Sequence, residues 1–169
     1  MGEEFNLEII NPDKSFLNKK DVTEVVVPAL EGEMGILKDH ISIISFLKPG
    51  IIKVYSKSGE DQYYIEDGIL EFKNNNLSVL TSSIINVKDL EKSKIQELMK
   101  LAEEDVGKPD LNDQSRYLVD QKIEVLKSTT TSVIISKSIH FHSKNSGFFV
   151  LMFILSSVPK YLIINHFCF

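Results

Sequence analysis

Along residues 4–87, apolar and polar positions alternate in short runs separated by turn signals. Phe5, Leu7 and Ile9 alternate with Glu4, Asn6 and Glu8, the period-2 pattern of a half-buried strand. Asn11-Pro12-Asp13 reads as a turn. A β-branched run from Val22 to Val27 ends at Pro28, and the apolar run Ile41 to Leu47 ends at Lys48-Pro49-Gly50. Ile51 to Tyr55, Tyr63 to Ile65, Ile69 to Phe72 and Leu77 to Leu80 follow, separated by Ser58-Gly59-Glu60-Asp61, Asp67-Gly68 and Asn74-Asn75-Asn76. Turns arriving every 8–12 residues or so predict an antiparallel sandwich or barrel.

The period changes near Asp89, which can cap a helix, with Glu91 favouring its first turn. Ile95, Leu98 and Ala102 form an apolar stripe, and Gly107 and Pro109 end the helix. A second helix is predicted from about Asn112 to Lys127, with Val119, Ile123 and Leu126 as its stripe. The chain is therefore α+β: an N-terminal antiparallel β-sandwich (1–87) followed by a C-terminal antiparallel helical hairpin (88–128). Such a hairpin has little core of its own, so its stripes need each other, the sandwich or a partner.

Residues 129–169 fit neither pattern. Gly147 to Val158 carries no charge, and Tyr161 to Phe169 is apolar again. A span from Gly147 to Phe169 has membrane length, but Pro159, Lys160 and His166 fall inside it. A membrane-touching or disordered tail is the second reading. The third, which the acid-free Ile/Phe/Lys/Asn/Ser/Leu bias favours, is a segment not native to the domain.

Charge sharpens that division. The whole chain of 169 residues carries −5 and has a pI near 5.4. All 24 acidic residues precede Val125, and only four of the 19 basic residues follow Glu124. An acidic domain of this kind argues against nucleic-acid binding, which needs a basic face. The one cysteine, Cys168, permits no disulfide within the chain and makes a thiolate zinc site improbable. The start, Met1-Gly2-Glu3-Glu4, is acidic and is followed by no apolar run of the signal-peptide kind.

Candidate chemistry is sparse. His40 follows Asp39 and lies near Glu31 and Glu33 in sequence. It could be a general base, or one ligand of a metal with those three acids, but no nucleophile elbow and no recognised ligand spacing accompany it. A loop histidine used for packing or contact is the simpler reading. The glycines are scattered turn glycines rather than a phosphate loop, and His140 and His142 lack further ligands. Glu31-Gly32-Glu33-Met34-Gly35-Ile36-Leu37 predicts a tight, acidic, surface-facing hairpin, which suits a protein contact better than a reaction.

The run from Glu31 to His40 resembles the EGE-(L/M)-G-(I/V)-x-x-x-H segment of the epsilon subunit family of bacterial F-type ATP synthases (delta in mitochondria). Lys48-Pro49-Gly50-Ile51-Ile52 resembles that family's L-x-P-G loop. Asp67-Gly68-Ile69-Leu70-Glu71 resembles its G-G-(I/F)-x-E segment, with Asp67 in place of the first glycine. The likeness covers about residues 4–128 in order. It implies a ten-stranded β-sandwich with a helical hairpin. It also implies a non-catalytic rotor subunit of a proton-translocating complex, which couples c-ring rotation to the catalytic head.

The implied partners are the gamma subunit and the c-ring, with alpha and beta subunits met transiently through the hairpin, which can inhibit ATP hydrolysis. The implied location is peripheral, on the cytoplasmic side of the bacterial inner (plasma) membrane, with no cofactor, metal or catalytic residue. The contact candidates are then Glu31, Glu33 and His40, with Met34, Ile36 and Leu37 supplying apolar area; Gly32, Gly35, Pro49, Gly50 and Gly68 are structural turns. Some members bind ATP through (I/L)-D-x-x-R-A. Here Leu90 and Glu91 stand at its first two positions, and Lys94 replaces the arginine, losing its bidentate fork. The tail from Thr129 has no counterpart in the family. A stand-alone β-sandwich module for a small ligand or carbohydrate is the alternative, with Tyr55, Tyr63 and Tyr64 its aromatic cluster.

Overall fold

The computed structural model describes residues 4–106 and 112–143. Nine strands are described: β1 Phe5–Asn11, β2 Lys14–Ala29, β3 Gly32–Leu37, β4 Ile43–Leu47, β5 Gly50–Ser56, β6 Gly59–Ile65, β7 Gly68–Lys73, β8 Asn76–Leu80 and β9 Ile84–Asn86. A 3₁₀ turn, Val87–Asp89, leads to α1 (Lys92–Val106) and then α2 (Asp113–Ser143).

β2 is 16 residues long and serves as two strands. Its first half pairs with β1 from Lys14 to Val22. A register shift between Val22 and Glu24 bends it. Its second half then pairs with β3 on one edge and β5 on the other. One layer therefore runs β4-β7-β8-β1-β2 and the other β3-β2-β5-β6-β9. Counted this way, nine strands fill the ten places that the resemblance implies. All pairs are antiparallel except β1 with β8, which is parallel.

The turns follow local chemistry. Asn11 Oδ1 accepts from the Lys14 amide across Pro12-Asp13. Asn74 and Asn75 both have positive φ, 52° and 58°, and close a two-residue hairpin between β7 and β8. Gly50 is required by close approach: a Cβ there would lie 2.5 Å from Pro28 Cβ. At Gly68 a Cβ would lie 2.9 Å from the Leu80 carbonyl oxygen.

Between the layers lie Leu7, Ile9, Val25, Val27, Ile36, Ile52, Val54, Ile65, Leu70, Phe72, Leu77 and Val79, all buried. Phe5 and Phe72 meet edge to face at 5.7 Å. A second buried set stands apart from this core: Tyr64, Leu90, Ile95, Leu98, Ala102 and Leu126. Tyr63 and Ile65 point into the sandwich, so strand alternation turns Tyr64 to the outer face. It is nonetheless fully buried. Glu66, on the same side, pairs with Lys122 of α2 at 2.8 Å, which places the hairpin over this face.

Two helix boundaries differ from expectation and one agrees. Asp89 does not cap α1; it ends the 3₁₀ turn, and α1 starts after Glu91, whose carbonyl accepts from the Ile95 amide. α2 does begin after Asn112, whose side chain accepts from the Ser115 amide. It does not stop at Lys127 but continues to Ser143. Threonine hydroxyls there bond back to the helix: Thr129 to the Val125 carbonyl and Thr130 to the Leu126 carbonyl, each 2.8 Å. His140 and His142 therefore sit on this helix. The turn at Gly107 and Pro109, the rest of the tail from 144, and Cys168 lie outside the described residues.

Asp61 receives two lysines, Lys19 of β2 at 2.6 Å and Lys88 of the 3₁₀ turn at 2.7 Å. These hydrogen bonds, Lys19's first, hold its carboxyl below the usual carboxylate range. Its stabilisation is then present above the unfolded-state value of about 3.9 and lost as pH falls through the lower folded value. Asp61→Asn should therefore be less stable than wild type at pH 7, with the gap narrowing toward pH 3 in urea titrations. Gly50→Ala should cost about 1–3 kcal/mol by overpacking against Pro28, read as a lower urea midpoint at unchanged slope.

Candidate interaction surface

The β2–β3 hairpin turns through Leu30-Glu31, between the paired Ala29 and Gly32. Gly32 there has φ 147°. Glu31 and Glu33 are exposed, and Glu33 Oε1 accepts from Lys53 Nζ at 3.2 Å. Along β3 the burial alternates. Glu33, Gly35 and Leu37 face out, while Met34 packs against the core and Ile36 is fully buried. The expectation that Ile36 offers contact area is thus corrected, because its side chain is already spent inside the sandwich. Met34 offers little more, whereas Leu37 is 53% exposed.

His40 is half-buried. Its Nδ1 lies 2.8 Å from the Ile41 carbonyl, and its ring meets Phe72 edge-on at 5.9 Å. Asp39, at φ 61°, does not orient it. The Asp39 amide donates to Asn75 Oδ1 at 2.7 Å, and its carboxylate accepts from Asn75 Nδ2 at 2.8 Å. That reciprocal pair fixes the loop and leaves His40 without the carboxylate partner of a general base. No group of three or more potential metal ligands occurs among the described residues.

The residues of the degenerate nucleotide motif are not gathered around a cavity. Leu90 is buried, Glu91 accepts from Ser93, and Lys94 is exposed and paired with Glu97 at 3.0 Å. The tyrosine cluster is not an open platform either: Tyr63 is in the core and Tyr64 lies under the hairpin. Burial pushes the Tyr64 phenol far above its ordinary range, and Glu66 adds to it. Among the described residues no helix is long and apolar enough to cross a membrane.

A different surface emerges on the outer face of the other layer. Phe46 pairs with Ile69, Ile69 with Leu80, and Leu80 with Ile10, so four strands carry one apolar row. Phe46 is 60% exposed, Leu80 51% and Ile69 44%; Ile44 beside them is 69% exposed. The row opens into a groove of about 760 Å³ at the end of the sandwich. Glu66 and Asp67 border it, no lysine or arginine among the described residues lines it, and Gln114 and Leu118 of α2 complete it. Asp67 is held by Ser82, whose hydroxyl and amide both donate to Oδ1.

Sequence reasoning missed this row, although a signal existed. Ile9-Ile10, Phe46-Leu47, Ile69-Leu70 and Val79-Leu80 are apolar doublets in four strands. In a two-faced strand, a doublet sends one member inward and the other out. Exposed contiguous apolar area of this kind marks a partner surface.

Residues 4–87 match the family described as ATP synthase, Delta/Epsilon chain, beta-sandwich domain. The ATP synthase epsilon chain of Pelagibacter ubique (strain HTCC1062) is 74% identical over 128 residues, which are 76% of this chain and 98% of that one. The epsilon chain of Rhizobium johnstonii is 30% identical over 119 residues, 70% of this chain and 87% of its own. Two solved structures share the fold. One is a chain of the Euglena gracilis mitochondrial ATP synthase, OSCP/F1/c-ring in rotational state 1. It has TM-score 0.61 and 21% identity, over 77% of this chain and 81% of that one. The other is from the Tetrahymena thermophila mitochondrial ATP synthase central stalk and c-ring, with TM-score 0.54 and 12% identity, over 76% of this chain and 97% of that one.

Proposed function

This chain belongs to the family of ATP synthase epsilon chains, and from that premise we propose how its surfaces serve the complex. It is a central-stalk, rotor subunit of the F-type ATP synthase. Its part is mechanical rather than catalytic: it passes c-ring rotation to the catalytic head.

The observation that carries the docking assignment is the four-strand apolar row. The gamma subunit docks on Phe46, Ile69, Leu80, Ile10 and Ile44, where burial of exposed apolar area supplies the adhesion. The β2–β3 hairpin meets the polar loops of the c-ring through Glu31, Glu33 and Leu37, with His40 bracing the loop that follows. Exposed ion pairs there contribute only about 0–1 kcal/mol each, so they set orientation more than affinity.

The helical hairpin is the regulatory element. It lies on the sandwich here, through Tyr64 and the Glu66–Lys122 pair, and would reach the alpha and beta subunits only after leaving it. Lys94 pairs with Glu97 and lacks the bidentate fork of the arginine it replaces, which argues against nucleotide binding at Leu90, Glu91 and Lys94. The subunit works peripherally, on the cytoplasmic side of a bacterial plasma membrane.

Phe46→Ser and Ile69→Ser alter exposed side chains, so the sandwich should fold unchanged by circular dichroism. If these residues anchor gamma, each should weaken binding of purified gamma about 10- to 100-fold in calorimetric titration. Affinity equal to wild type in both variants would remove the row from the docking surface.

A further inference from the structure

We infer that Asp67 selects the partner by charge: the segment of gamma that settles on the apolar row carries a lysine or arginine opposite this carboxylate. The inference rests on the gamma reading above and adds to it a specificity-determining residue.

Asp67 and Ile69 both line the groove, so a partner that covers Ile69 also reaches Asp67. The Asp67 side chain is exposed yet held in one orientation. Ser82 donates to its Oδ1 twice, from the hydroxyl at 2.6 Å and from the amide at 3.0 Å. Both bonds fall on the same oxygen, and among the described residues none reaches Oδ2. Of the lining residues only Glu66 and Asp67 are charged. Glu66 is already paired with Lys122 at 2.8 Å. Asp67 is therefore the lining charge that no described cation neutralises.

In the free chain water solvates that charge. When an apolar segment closes over Phe46, Ile69 and Leu80, the water is lost, and an ionised carboxylate left without a counter-charge opposes docking. A lysine or arginine at that point removes the penalty, whereas an acidic or apolar group does not. The carboxylate thus filters partners more than it adds adhesion, which the apolar row supplies. The orientation set by Ser82 lowers the cost of forming the pair, because one side chain is already ordered. The family segment that this stretch resembles has glycine in place of Asp67, so the sandwich can be built without the charge.

The test uses the full chain and purified gamma, titrated calorimetrically at low and high salt. Asp67→Asn keeps an oxygen for Ser82 and removes only the charge, so its circular dichroism should match wild type. At about 20 mM salt Asp67→Asn should weaken binding about three- to tenfold, and Asp67→Lys, which sets like charges face to face, about 30-fold or more. Both gaps should shrink at about 500 mM salt, where exposed charges are screened. A purely structural role for Asp67 would instead leave Asp67→Asn equal to wild type and make any loss in Asp67→Lys indifferent to salt. Either of those results would overturn the charge filter while leaving the apolar row in place. Absence of binding to the wild-type chain would overturn the gamma reading and the filter with it.

Discussion

The sandwich depends on one strand that belongs to both of its layers. β2 leaves β1 at a bulge after Val22 and enters the second layer between β3 and β5. Val22, Val25 and Val27 stay buried through that transition, so one β-branched run is presented to the core from both layers. The same passage places Pro28 against Gly50 and leads directly into the Leu30-Glu31 turn. The position of the acidic hairpin is therefore set by the path of β2 rather than by contacts at its own tip.

The two outer faces are used differently. On the β6 side the apolar excess is covered by the chain itself: Tyr64 lies beneath helices whose Ile95, Ala102 and Leu126 are fully buried. On the β4-β7-β8-β1 side the excess stays open to a partner. Between these faces, at the end of the sandwich, Glu66 and the first turns of α2 meet the groove. The sandwich thus has one outer face covered by its own helices and one left open.

The layout of strands was legible because turn residues are local. Asn11, Gly50, Gly68 and the asparagine pair before β8 each act within a few residues of themselves. The first half of β2 was not legible, since Phe16 and Leu17 are the only apolar residues from Lys14 to Asp21 and give no alternation. The hairpin expected at Glu31 to Leu37 is formed by β3 pairing with β2, although Gly32 and Gly35 dilute the period of β3. The parallel register of β1 on β8 joins residues about seventy positions apart, beyond any window of periodicity. Among the proposed contact residues, Glu31, Glu33 and Leu37 have the exposure that role requires. Ile36 was misjudged because alternation within a glycine-rich run is hard to phase. The exposed row escaped notice because each strand contributes a single residue to it.

The carboxylate of Asp61, gripping Lys19 and Lys88, has a mechanical meaning. It pins the turn before α1 to β2, and Leu90, buried a few residues on, is the last anchored side chain before the helices. The anchored part of the sandwich thus reaches to Leu90, next to Glu91, whose carbonyl takes the first hydrogen bond of α1. α2, at 31 residues, is about 46 Å long at helical rise. Its ion pair to the sandwich, Lys122 with Glu66, falls within the first third of that length.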